Sequence, residues 1–136
     1  NGRRRQRQMC IRDRDKVDMI MGGMTVTPLR NLQVIFTNPY LHIGQTAVVR
    51  KELKKQIKTF KDLNHKKYKI CSRMGTTGEK AALKYLPRAR YFGFQDRESG
   101  IMEVVFGRKD AFIYDFPYNE IFTRTKGQKK VFHLKY

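Results

Sequence analysis

From position 58 onward the chain alternates short apolar runs with segments whose apolar positions recur every three or four residues. Tyr68 to Ser72, Arg90 to Phe94, Ala111 to Tyr114 and Val131 to Leu134 read as strands bounded by turn-forming residues. Helical segments lie between them. Thr59 is placed to cap a short helix ending at Leu63. Gly75-Thr76-Thr77-Gly78 opens a second helix with Ala82, Tyr85 and Leu86 as apolar positions, closed by Pro87. A third begins at Ser99, sets Ile101, Val104 and Val105 on one face, and stops at Gly107. A fourth begins at Pro117 and carries Tyr118, Ile121 and Phe122. Strands separated by helices of about ten residues predict βαβ units and a parallel sheet, hence the α/β class.

The first third of the chain is less regular. Val17 to Met21 is a short apolar run closed by Gly22-Gly23, which predicts a strand ending in a tight loop. Thr27-Pro28 predicts the start of a short helix, since proline suits the first helical turn. Gln33 to Phe36 reads as a brief strand and Gln45 to Arg50 as a longer one, followed by a solvated, lysine-rich segment. Residues 1–16 show neither helical nor strand periodicity.

Length and composition narrow the function classes. With 136 residues, 40% of them apolar, the chain is long enough for one domain's core. No run approaches the ~20 apolar residues of a membrane-spanning helix, and the N-terminus shows no apolar signal-peptide segment. Cys10 and Cys71 match no metal or disulfide spacing, so no metal site and no cofactor are expected. The net charge of +18 raises nucleic acid and anionic surfaces as partners. Residues 1–16 carry seven Arg and Lys against two Asp. They read either as a basic arm that grips phosphates or as a non-native tail outside the fold, because Met9 to Arg14 (MCIRDR) looks like translated sequencing-adapter sequence. Elsewhere the basic residues are dispersed and no recognition motif accompanies them, so nucleic acid is not expected as a partner.

Three features carry candidate chemistry at the carboxyl ends of strands, where open α/β sheets collect ligands. Gly75 to Gly78 can present helix N–H groups, with the Thr76 and Thr77 hydroxyls, to a small anion, or Thr77 can simply cap the helix. No Gly-Lys-Ser/Thr follows, which excludes a Walker A loop. Asp115 follows an apolar strand and can accept from an ammonium or cap the next helix. Gly22 to Arg30 (GGMTVTPLR) offers a glycine-opened loop with an arginine, whose planar fork pairs with a carboxylate through two bonds. An arginine fork, an anion-accepting helix start and a lone carboxylate complement a zwitterion, that is, a free amino acid.

Four motifs in order then mark a resemblance covering residues 17–136. GGMTVTPLR, VIFTNPYLHIGQTAVVRK, TFKDLNHKKYKICSRMGTTGEKAALKYLP and GRKDAFIYDFPYNEIF resemble the polar amino-acid family of bacterial periplasmic solute-binding proteins, the capture subunits of ABC importers. The resemblance implies a type II periplasmic-binding fold in which two lobes close on the ligand. Residues 17–45 would be a piece of lobe one, 46–51 a hinge crossing, and 52–136 lobe two. It also implies that the first half of lobe one with its export signal precedes Val17, and that a return crossing follows Tyr136. By the same resemblance Arg30 clamps the ligand's carboxylate, Gly23 and Thr25 touch its amine and carboxylate, and Thr76 and Thr77 close onto that carboxylate. Asp115 accepts the α-ammonium. Arg73, with Tyr114, meets the ligand side chain and favours a polar or acidic one. The partners implied are a free amino acid and ABC permease subunits, the latter being the route to the membrane; the protein is expected to be a periplasmic monomer, free or lipid-anchored. Cyclohexadienyl dehydratases, lytic transglycosylases and receptor sensor domains carry the same fold and are the alternatives.

Overall fold

A computed structural model describes residues 18–125 and 130–135. They fall into two compact units, one ending at His42 and the other beginning at Ile43. The basic tail at 1–16 lies outside the described residues.

Among its described residues the first unit has one helical turn, α1 (Pro28–Asn31), where proline occupies the first turn and the Arg30 and Asn31 amides donate to Thr27 O at 3.0 Å. The strands expected at Val17–Met21 and Gln33–Phe36 do not form: the described residues of both runs are irregular. A strand exists through its ladder, and the described residues of this unit supply no strand to pair with either run. Met21, Leu32 and Ile35 are therefore exposed despite their apolar side chains.

In the second unit a five-stranded sheet runs β3-β2-β4-β1-β5, with β1 Gln45–Arg50, β2 Lys69–Arg73, β3 Arg90–Phe94, β4 Ala111–Asp115 and β5 Val131–Lys135. β2 pairs in parallel with β3 and β4, as the βαβ pattern predicts. β1 is antiparallel to both β4 and β5, so the sheet is mixed, within the parallel or mixed α/β sheet flanked by helices that is expected for lobe two. The helices are α2 (Thr77–Tyr85), α3 (Arg97–Val105) and α4 (Phe116–Thr125).

Strand alternation divides the core into two layers. Ala47, Val49, Ile70 and Ile113 pack with Ala82 of α2 and Leu86 just past its end, and with Ile57, Phe60 and Leu63 of the segment after β1. Val48, Cys71 and Phe112 pack on the other face with Ile101 and Val104 of α3 and Phe122 of α4. The Cys71 thiol is fully buried and donates to Ala111 O at 3.3 Å; burial pushes its pKa up, so it acts as packing rather than as a nucleophile.

α3 starts two residues before the expected Ser99, because Asp96 is its cap: Oδ1 accepts from Ser99 N at 2.7 Å. Phe60–Leu63 forms as a single 3-10 turn, and Asp62 there accepts from the amides of Thr59 at 2.8 Å and Lys58 at 2.9 Å. These bonds favour the ionised carboxylates and hold both below the ordinary range, through the Thr59 and Lys58 amides for Asp62 and the Ser99 amide and hydroxyl for Asp96. A depressed folded-state pKa stabilises the fold above the unfolded carboxylate's value, and that contribution is lost as pH falls through the folded value. An NMR acid titration should therefore show the Thr59 and Ser99 amide protons moving with the two carboxyl carbons, at a pH below that of an exposed aspartate.

Candidate ligand-binding site at the carboxyl ends of the strands

The first turn of α2 meets the sheet through glycines with two different duties. Gly75 has φ +68°, the left-handed conformation that lets the chain leave β2 and turn into the helix. Gly78 lies against the strand: a Cβ there would stand 2.7 Å from the Ile113 carbonyl oxygen and 3.2 Å from Gln45 Oε1. The loop is also tied from within. The Glu79 carboxylate accepts from Gly75 N at 2.5 Å and from Tyr91 OH at 3.2 Å, and Tyr91 lies 3.0 Å from the fully buried Ser72 hydroxyl. Burial, opposed by the Ser72 hydrogen bond, pushes the Tyr91 pKa up to about 12.

Thr76, rather than Thr77, is the helix cap. Its Oγ1 accepts from Glu79 N at 3.4 Å and donates to Arg73 O at 2.6 Å, so the hydroxyl hydrogen is committed to the backbone. Thr77 is thereby released from capping. Its Oγ1 accepts from Gln45 Nε2 at 3.1 Å, and the same nitrogen donates to Asp115 Oδ1 at 2.6 Å. Gln45 and Asp115 are direct partners in the β1–β4 ladder, which fixes this bridge. As an acceptor from Gln45, Thr77 keeps its own hydroxyl hydrogen for an anion, while the second carboxylate oxygen of Asp115 remains to accept from a cation. One amide nitrogen thus sets a donor for negative charge beside an acceptor for positive charge.

Sequence reasoning missed Gln45, since a glutamine opening a strand belongs to no chemical motif. It also missed Asn119, fully buried in α4, whose Nδ2 donates to Thr46 O at 3.0 Å and to Tyr114 O at 3.3 Å. Asn119 clamps the β1–β4 edge directly behind Gln45 and Asp115. The reading of α4 placed Ile121 among its apolar positions, but Ile121 is 62% exposed.

The other candidates fall elsewhere. Tyr114 is on the opposite face of β4 from Asp115, stacked on Phe112 at 5.8 Å and edge-on to Tyr118 at 5.5 Å. Arg73 ends β2 on that face; its Nε is buried without a hydrogen bond among the described residues, and its charge lowers the pKa of Asp96. In the first unit, Arg30 donates from Nη1 to Thr25 O at 2.5 Å, which brings those two candidates together. A shallow groove in that unit is lined by Val26, Asn31, Val34, Ile35, Phe36, Thr37 and Pro39, and includes none of Gly23, Thr25 and Arg30.

Comparison with known proteins gives these positions a context. The family model described as bacterial extracellular solute-binding proteins, family 3, matches residues 12–131. The ABC transporter arginine-binding protein 1 of Escherichia coli is 30% identical over 100 residues, covering 74% of this chain and 39% of that protein. The glutamine-binding protein of Geobacillus stearothermophilus is 29% identical, with 74% and 37% covered. A cyclohexadienyl dehydratase of Pseudomonas aeruginosa is 26% identical, with 74% and 38% covered. The chain therefore spans about two-fifths of the length of these relatives. Among solved structures, a binding component of an ABC transporter from Wolinella succinogenes, complexed with lysine, superposes with a TM-score of 0.79 at 36% identity, covering 82% of this chain and 48% of that one. The fold is that of the type II periplasmic-binding proteins.

Proposed function

As the chain belongs to the bacterial extracellular solute-binding proteins of family 3, we propose that it is part of the substrate-binding subunit of an ABC importer, capturing a free amino acid by hinge closure between two lobes. Residues 17–45 contribute to lobe one, 46–51 to a hinge crossing and 52–136 to lobe two. The observation that carries this reading is the shared Gln45 amide, which sets the Thr77 hydroxyl and the Asp115 carboxylate as neighbouring partners for the two charges of a zwitterion. Asp115 takes the α-ammonium and Thr77 the carboxylate, with Thr76 shaping the turn. Arg30, Gly23 and Thr25 serve the carboxylate and amine from lobe one. The binding role places the protein in the periplasm, free or lipid-anchored, as a monomer that delivers its ligand to permease subunits.

For the ligand's side chain we assign Arg73 and Tyr114, which lie at the ends of their strands on the face opposite Asp115, so that role requires the side chain to reach past the strand ends. A guanidinium there favours a polar or acidic side chain over a cationic one. The glutamine-binding relative agrees with that preference; the arginine-binding relative and the lysine complex pull toward cations, and the proximity of Asp96 would moderate the repulsion. Titrating the twenty amino acids, followed by thermal shift or NMR, tests both levels. Glutamine, glutamate or aspartate should bind tightest, and Arg73→Ala should raise the affinity for lysine and arginine about tenfold. Preferential binding of arginine by the parent protein would overturn the side-chain assignment and leave amino-acid capture standing. Binding of none by a protein carrying both complete lobes would overturn capture itself.

The dehydratase relative supports a second reading, catalysis on the same fold. Glu79, the glutamate nearest the α2 turn, is held by the Gly75 amide and the Tyr91 hydroxyl, which suits it to support rather than to proton transfer. Turnover of prephenate or arogenate by the purified protein would establish the enzyme reading.

A further inference from the structure

The two ends of the sheet in the second unit differ sharply in charge. β2, β3 and β4 run in one direction, and β5 shares it because β4 and β5 are both antiparallel to β1. At their carboxyl ends, residues 73–80, 94–98, 115 and 135 hold four basic and four acidic residues. Their opposite ends gather residues 50–69, 88–90, 107–110 and 130. Backbone bonds join these segments there: Arg50 N to Asp110 O at 3.1 Å, Lys51 N to Lys130 O at 2.9 Å, and Arg90 N to Tyr68 O at 2.9 Å. They carry fourteen Lys and Arg against Glu52, Asp62 and Asp110.

Those three acids are engaged within the fold. Asp110 takes Arg50 and the Lys69 amide, Asp62 takes the Lys58 and Thr59 amides, and Glu52 meets Arg50 at 3.4 Å. The seven lysines between positions 51 and 67 are all exposed, and among the described residues none makes an ion pair. The strip that bears them is anchored by Ile57, Phe60 and Leu63, each buried beneath it. Its charge is thus held as a surface on the side of the sheet remote from Thr77 and Asp115.

We infer that this end of the second unit is a docking surface for an anionic lipid bilayer, held by charge alone. Lysine suits diffuse headgroup phosphates as a point charge, and the segment 51–67 contains no arginine to make forked contacts. Phe60 within it and Tyr68 just beyond are buried, so the strip's one exposed ring is the His65 imidazole, which cannot supply the succession of platforms on which single-stranded bases stack. No large apolar side chain projects from it either, so the protein adsorbs without inserting. The surface meets the membrane directly, in addition to any contact through a transporter, and leaves the candidate site accessible while adsorbed.

The test is co-sedimentation of the whole chain with phosphatidylcholine vesicles and with mixed phosphatidylcholine–phosphatidylglycerol vesicles, in low and high salt. Binding should require phosphatidylglycerol and be reversed by salt. Each lysine near a negative surface contributes about fivefold, so Lys54→Gln, Lys55→Gln, Lys58→Gln and Lys61→Gln together should weaken partitioning by several hundredfold, on the order expected for four charges. The charge-matched control neutralises Arg3, Arg4, Arg5 and Arg7, and should retain binding; thermal melting verifies that both variants fold. Binding unchanged in the lysine variant, or lost in the arginine variant alone, would overturn the proposal. So would tighter binding of a short DNA duplex than of the anionic vesicles with the same lysine dependence, which would assign the surface to nucleic acid.

Discussion

Asp110→Ala should lower the stability of the second unit by about 3 kcal/mol, read as a reduced urea midpoint and a fall of roughly 15 °C in Tm. Asp110 is 8% exposed and joins three parts of the fold at the start of β4. Its Oδ1 receives Arg50 Nη2 at 2.5 Å from the end of β1, and its Oδ2 receives Lys69 N at 2.7 Å from the start of β2. Removing the carboxylate strands a guanidinium whose side chain is 24% exposed and leaves the Lys69 amide without its acceptor. The partial exposure of Arg50 sets the figure at the lower end of the range for buried pairs. Arg50→Met in the Asp110→Ala background should recover part of the loss, because the stranded charge goes with it. A loss below about 1 kcal/mol would mean that water replaces the carboxylate freely.

Asp115→Asn should weaken binding of free amino acids about 10- to 100-fold in a calorimetric titration, the worth of one charge-assisted hydrogen bond. Asparagine can still accept from Gln45, so the local fold survives while the negative charge that meets an ammonium is gone. Des-amino analogues should bind parent and variant alike, which separates loss of the ammonium partner from general damage. Equal weakening of both ligand types would move the ammonium site away from Asp115.

The βαβ succession from Tyr68 to Asp115 was legible because apolar period and turn chemistry agree at every boundary. The direction of β1 and β5 was not: a strand's orientation depends on partners more than sixty residues away, and local pattern carries no record of them. The apolar runs at 17–21 and 33–36 show the same limit, since they have strand composition without a ladder to join. Within the site, Gly75 to Gly78 and Asp115 could be singled out because helix starts and strand ends have recognisable chemistry. Which threonine caps the helix could not be read, as Thr76 and Thr77 are chemically alike and backbone geometry decides between them. Gln45 and Asn119 were invisible for a related reason, because their roles arise from what folding places opposite them.

The place of β1 between β4 and β5 also bears on how the chain reaches its fold. Its two ladders join residues 45–50 to 111–115 and to 131–135, so an early segment must wait for the last strand before its hydrogen bonds are complete. β2 and β3, about twenty residues apart, can find each other long before that. Pairing over such separations raises contact order and slows folding. A nascent chain would thus hold a β2–α2–β3 nucleus early, while the strand that anchors Gln45 remains unpaired until β4 and β5 have emerged, so the binding geometry is assembled in the final folding step.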